Sequence, residues 1–267
     1  MAALDRTLEQ PGARLRFHDT GGTGVPVVLT HGAGMDHTSF LPQAEAIRNA
    51  GDRVILWDMR GHGESALAPG TRFSATDALD DLAALLDACG VDRAILIGHS
   101  LGGNLAQEFA KRHPDRVAGL VVIGSTWNAG PLSAMERFGL RLAAPTLAVI
   151  PASRLPRMMA QASAVHAEVV DGIERVFARM PKRMFIDVWR ATVSFVDPDA
   201  GYRTPVPLGL IRGAADRTGN IATAMPRWAA HKGVREHAIR GAGHVVMLDA
   251  PQPTSDALLA VLEGMRC

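Results

Sequence analysis

Short apolar runs alternate with amphipathic stretches along most of the chain. Residues 15–19, 25–30, 53–57, 94–97, 117–123, 206–212 and 235–239 are rich in aliphatic side chains and bounded by Gly, Pro or polar clusters, which predicts strands. The run 94–97 is apolar throughout, as in a strand buried on both faces. Between these runs, 40–50 carries Leu41, Ala44 and Ile47 at helical spacing and closes at Gly51. Segments 76–89, 103–112 and 253–265 also read as helices. The Gly-rich turn at 20–24 predicts that 15–19 and 25–30 pair as an edge hairpin. Strand–helix alternation with short connections predicts a mostly parallel sheet with helices on both faces.

The rhythm changes over 126–202. Helical patterns rich in Met, Ala and Arg occupy 132–142, 155–165, 169–180 and 183–193. This segment is expected to be a helical lid inserted into a core made of 1–125 and 203–267, lying over the carboxyl edge of the sheet. Its many arginines are expected to form mainly a solvated face. Met158, Met159, Met180 and Met184 are expected to pack the lid, and a few of them, with Trp127, Phe138, Phe185 and Trp189, to line an apolar pocket.

Composition narrows the partners. A formal charge of +1 over 267 residues supplies no strong field for nucleic acid or an anionic membrane. Neither a signal segment nor an apolar run of bilayer length is evident. Cys89 and Cys267 are far apart and offer neither metal spacing nor a disulfide framework. A cytoplasmic monomer or homodimer is the expectation, with a small apolar molecule as its partner and neither nucleic acid nor membrane.

The chemistry centres on Gly98-His99-Ser100-Leu101-Gly102, a G-x-S-x-G match between a predicted strand and a predicted helix. A sharp strand-to-helix turn exposes the Ser hydroxyl above the sheet, and small residues two positions either side let strand and helix approach. Ser alone is a weak nucleophile near neutral pH and needs a base with a group to orient it. Asp216 and His244 each stand in a Gly-flanked loop directly after a predicted strand, in the order Ser, Asp, His. The loops at His31-Gly32-Ala33-Gly34 and 58–65 fall at the same sheet edge, where ligands gather in such folds. Asp58 and His62 also invite reading as a pair, but Asp58 and Arg60 are expected to tie a turn together instead.

With these segments the chain resembles the α/β-hydrolase fold superfamily, from about Leu15 to the C-terminus. The resemblance implies an eight-stranded, mostly parallel sheet and a serine hydrolase mechanism: Ser100 as nucleophile, His244 as base and Asp216 orienting it, with the amides of Ala33 and Leu101 as oxyanion hole. His31, Gly32, His99 and Trp127 are the candidate substrate contacts. No metal or organic cofactor is implied. Some relatives place the acid after the strand that follows the nucleophile, but 124–128 holds no carboxylate, which favours Asp216. Ser rather than Asp at position 100 argues against dehalogenase and epoxide hydrolase chemistry. His99 suits esterases and lactonases, whereas carbon–carbon bond hydrolases often carry Asn there. The leading expectation is a small carboxylic ester or lactone as substrate. Amide, hydrazide or carbon–carbon cleavage on the same triad, and a slow-turnover ligand-sensing role, are the alternatives.

Overall fold

The computed structural model describes residues 3–266, so Cys267 lies outside the described residues. The strands are β1 (Arg6–Gln10), β2 (Ala13–Asp19), β3 (Val27–Thr30), β4 (Val54–Asp58), β5 (Ala66–Leu67), β6 (Ala94–His99), β7 (Val117–Ile123), β8 (Leu208–Gly213) and β9 (Glu236–Ile239). Eight of them follow the order β1-β2-β4-β3-β6-β7-β8-β9, and the two-residue β5 pairs with β2. Neighbours from β4 to β9 run parallel, while β1, β2 and β5 are antiparallel additions at one edge.

The expected hairpin of 15–19 with 25–30 does not form. β4 lies between β2 and β3, with Phe17 opposite Trp57. Arg53 explains the choice: its guanidinium donates to both Asp19 carboxylate oxygens at 2.9 and 2.7 Å, and Thr20 N donates to Val54 O. The end of β2 is thereby tied to the start of β4. The hairpin partner of β2 is β1, joined to it through Gly12 at φ +72°.

Helices α1 (Leu41–Asn49) and α10 (Pro251–Arg266) cover one face of the sheet. There they pack on Val27, Leu29, Leu56, Ile95, Ile97 and Val121. Helices α2 (Ala75–Ala88), α3 (Leu101–Arg112) and α8 (Ile221–Lys232) cover the other, over Phe17, Trp57, Leu96, Leu120 and Val122. The alternation of Ile95, Leu96 and Ile97 between the two cores makes β6 the fully buried strand its apolar run predicts. Helices α4 (Ala134–Val149), α5 (Leu155–Ser163), α6 (Ala167–Phe177) and α7 (Lys182–Ser194) are inserted between β7 and β8. A short helix α9 (Val246–Asp249) follows the His244 loop. Among the described residues no helix is long and apolar enough to cross a membrane.

Candidate active site

Ser100 joins β6 to α3 at φ +50°, and it is the one non-glycine with positive φ among the described residues. Its amide donates to Ile123 O at 3.0 Å, and Ser125 Oγ donates to its carbonyl at 2.9 Å, so the turn is held from β7. The flanking glycines are required by contact. A Cβ on Gly98 would stand 2.1 Å from Gly102 O, and one on Gly102 would stand 2.2 Å from Thr30 O. Both neighbours are backbone atoms that cannot swing aside.

Asp216 follows β8 and His244 follows β9. His244 Nδ1 and Asp216 Oδ2 are 2.9 Å apart, and Thr218 N donates to the other carboxylate oxygen at 2.8 Å. Burial pushes the Asp216 carboxyl up, but the His244 hydrogen bond and charge, with the Thr218 contacts, outweigh it and hold the group below the usual carboxylate range. Ser100 and His244 line one cavity of about 60 Å³, with Ala33 beside them and Met159, Phe177, Phe185 and Trp189 from α5, α6 and α7 above. Among the described residues the amides of Ala33 and Leu101 have no protein acceptor, which leaves both donors free.

The other expected contacts distribute differently. His99 lines the cavity, but its Nε2–H donates to His244 O at 3.0 Å; burial and the neighbouring His244 charge push its pKa down to about 3, so the ring is neutral. Gly32 lies against it, since a Cβ there would meet His99 Nδ1 at 2.6 Å and Ser100 Cβ at 3.3 Å. His31 turns away from the cavity: its Nε2 accepts Met59 N at 3.0 Å and its Nδ1–H donates to Gly32 O at 2.8 Å. Trp127 also lies off the cavity, stacked on Trp228 with the rings 1° from parallel, beside a separate cleft of about 570 Å³. Of the apolar lid candidates, Met159, Phe185 and Trp189 reach the cavity, Met180 and Met184 pack on the core, and Phe138 faces solvent. Trp189 additionally borders an apolar groove of about 370 Å³ under α4, which the sequence offered no means to foresee.

Asp58 and Arg60 do not tie one turn together. Asp58 receives His37 Nδ1 at 3.0 Å, His37 N at 2.6 Å and Glu64 N at 2.7 Å. Arg60 reaches across to the Asp81 carboxylate on α2 at 2.6 and 2.7 Å. Both are buried supports of the loop.

The profile of the alpha/beta hydrolase fold family matches residues 25–251. The chain belongs to the α/β-hydrolase fold family. It is 40% identical over 122 residues to the 2-hydroxy-6-oxononadienedioate/2-hydroxy-6-oxononatrienedioate hydrolase of Burkholderia vietnamiensis, covering 43% of this chain and 42% of that protein. To the 2-hydroxymuconate semialdehyde hydrolase of Pseudomonas sp. CF600 it is 32% identical over 136 residues, covering 49% of this chain and 46% of that protein. The match thus spans less than half the length of either relative. A solved structure of a thermophilic esterase from Thermogutta terrifontis, with malate bound, is similar over 98% of this chain and 97% of its own, at 27% identity and a TM-score of 0.77.

Proposed function

We propose that this α/β-hydrolase family member is a serine hydrolase of small carboxylic esters or lactones, acting through Ser100, His244 and Asp216. One observation carries the reading: His244, paired behind with Asp216, opens onto the same cavity as Ser100, whose backbone is held in a conformation that favours glycine. Asp216 Oδ2 accepts the Nδ1 proton of His244, leaving Nε2 as the base. Ser100 Oγ attacks the carbonyl carbon as His244 takes its proton, and the carbonyl electron pair moves onto oxygen. The amides of Ala33 and Leu101 hold that oxyanion; losing one such donor typically costs about 3 kcal/mol of barrier stabilisation. Collapse breaks the carbon–oxygen bond, and His244 delivers the proton to the departing alcohol. Water, deprotonated by the same base, then releases the acid and restores Ser100.

In this proposal 126–202 acts as a lid on a core of 1–125 and 203–267, and the small cavity favours a compact acyl group unless the lid helices move. Carbon–carbon cleavage on the same three residues is the second reading, favoured by the two dienoate and semialdehyde hydrolases among the relatives. The test is hydrolysis of p-nitrophenyl esters of increasing acyl length, with Ser100→Ala beside the wild type. Ser100-dependent turnover with a short-chain optimum is expected. Turnover that survives Ser100→Ala overturns the mechanism. Ester inertness with Ser100-dependent cleavage of a 2-hydroxy-6-oxo dienoate moves the assignment to the second reading.

A further inference from the structure

The cleft of about 570 Å³ beside Trp127 has no lining residue in common with the catalytic cavity. Three segments wall it: the loop after β7 with the start of α4, the loop after α7, and α8. Trp127, Ala129, Leu132 and Pro198 give it an apolar lining. The walls are fastened to one another. Trp127 stacks on Trp228, and Gly130 packs so closely that a Cβ there would stand 2.7 Å from the Trp127 ring. The loop after α7 is tied down twice, by Asp197 N donating to Asn128 O at 2.9 Å and Asp199 N to Ala129 O at 3.0 Å. A preformed cleft loses little binding free energy to the ordering of its own walls.

Its polar groups are mostly cationic. Arg137 enters from α4 and Arg227 from α8, and His231 stands one helical turn beyond Arg227 on the same face. Arg137 donates to Leu132 O at 3.0 Å, which holds it at the wall and leaves its other N–H groups for a ligand. Neither guanidinium is paired with a carboxylate among the described residues. Glu136 feels the charge of Arg227, but its two oxygens already accept Ser133 N at 2.7 Å and Asn220 Nδ2 at 2.9 Å. Among the described residues Asp199 is the one carboxylate on the lining, and one of its oxygens accepts Gly201 N at 2.9 Å. Two guanidiniums against one carboxylate leave the lining with an excess of one positive charge.

We propose that this cleft is a second binding site, for an apolar monocarboxylate. An apolar lining with guanidiniums at its wall matches a hydrocarbon body that ends in a carboxylate, the group an Arg fork holds through paired hydrogen bonds. The single excess positive charge fits a monoanion. A phosphate dianion would bring a second negative charge beside Asp199 with nothing to meet it. The inference is independent of the hydrolase reading, because it concerns binding alone at a place that reading does not use.

The experiment is isothermal titration calorimetry with hexanoate and phenylbutyrate, each beside its uncharged alcohol, hexanol or phenylbutanol. It compares the full chain, the double variant Arg137→Gln/Arg227→Gln, and Ala200→Trp, which puts an indole into the cleft from an exposed loop. Thermal melting checks that each variant is folded. The full chain is expected to bind the acids saturably, about tenfold or more tighter than the alcohols and more weakly as salt rises. The double Gln variant is expected to lose that preference, and Ala200→Trp to weaken acid and alcohol alike by about tenfold or more. No saturable binding of either acid, equal affinity for acid and alcohol, or an unchanged affinity for the acids in either variant overturns the proposal. So does a dimer in sedimentation velocity that Ala200→Trp dissociates, because a second copy then fills the cleft.

Discussion

The amide of Gly243 donates to the Asp249 carboxylate at 2.7 Å, and the same carboxylate accepts the amides of Val165 and His166 from the α5–α6 corner at 3.1–3.2 Å. On the other side of His244, Val245 N donates to Ser163 O at 2.8 Å. The amides on either side of the proposed base are thus fastened to the inserted helices, that of Val245 directly and that of Gly243 through Asp249 of α9, and its own carbonyl to His99. Asp249→Ala leaves three amides without an acceptor, each worth about 1–3 kcal/mol if it stays dry. The expected result is a lower melting temperature and a kcat reduced by about tenfold or more, with a smaller change in KM. Asp249→Asn keeps one carbonyl acceptor and is expected to fall between. Ester kinetics beside thermal melts decide it: an unchanged kcat in Asp249→Ala means that the His244 loop holds its place without this anchor.

Asp216→Asn tests the orientation of the base. An amide at this position can present its NH2 to Nδ1, which favours the tautomer with the proton on Nε2 and leaves no lone pair there to accept from Ser100. A fall in kcat of about 10⁴ is the expectation, with the fold intact. Rapid kinetics of fluorophosphonate labelling at Ser100 report the same loss without a substrate. A mild effect in both assays assigns the orienting role to another group.

What was legible in the sequence follows from where local pattern governs. The apolar run of β6, the glycines around Ser100 and the Gly-flanked positions of Asp216 and His244 each encode a backbone event, and the parallel sheet with its inserted helices follows from their order. Edge elements were harder. β1 is largely solvent-facing and β5 has two residues, so neither leaves an apolar signature, and α8 carries Pro226 inside it. The hairpin expectation failed because an ion pair distant in sequence, Arg53 with Asp19, outbid a turn that merely looked permissive. Ring directions were the least legible. His31 and Trp127 occupy the expected loops, yet one turns to Met59 N and the other to Trp228, choices made by tertiary packing.

Stability is expected to depend on pH through buried histidines. Burial lowers His31, and pushes His62 and His99 down to about 3 from an ordinary 6.5. Between those values the unfolded chain binds protons that the folded chain does not, so stability falls as pH drops below about 6.5, by roughly 1.4 kcal/mol per pH unit per histidine. His37 acts in the opposite window. Burial lowers it, but the Asp58 hydrogen bond and charge outweigh that and raise it, so its contribution is full below about pH 6.5 and is lost as pH rises through the raised value. Urea unfolding from pH 4.5 to 8.5, values chosen to bracket roughly these ranges, is expected to show a maximum near neutrality. His62→Gln should flatten the acid limb by about one proton and His37→Gln the alkaline limb. Unchanged limbs in both variants remove these histidines as the source.

Among the described residues, Trp189 is the one side chain common to the cavity beside Ser100, about 60 Å³, and the apolar groove under α4, about 370 Å³. The smaller space holds a few waters or a short acyl group; the larger one accommodates a chain of several carbons but lies beyond the indole. Trp189 therefore stands where a partition between the two would limit acyl length. Its Nε1 has no acceptor among the described residues, so no hydrogen bond to them resists its removal or rotation. Trp189→Ala is expected to join the two spaces. The ratio of kcat/KM for octanoyl over acetyl p-nitrophenyl esters should then rise about tenfold or more, since each methylene that gains burial adds about 0.8 kcal/mol. Because Trp189 is only partly buried, the accompanying loss of stability should stay below the 3–5 kcal/mol or so of a core tryptophan. Trp189→Phe keeps most of the partition and is expected to keep the short-chain preference. If the acyl-length profile of Trp189→Ala instead matches the wild type, long chains reach Ser100 by another route, and movement of α5–α7 rather than a single indole sets the limit.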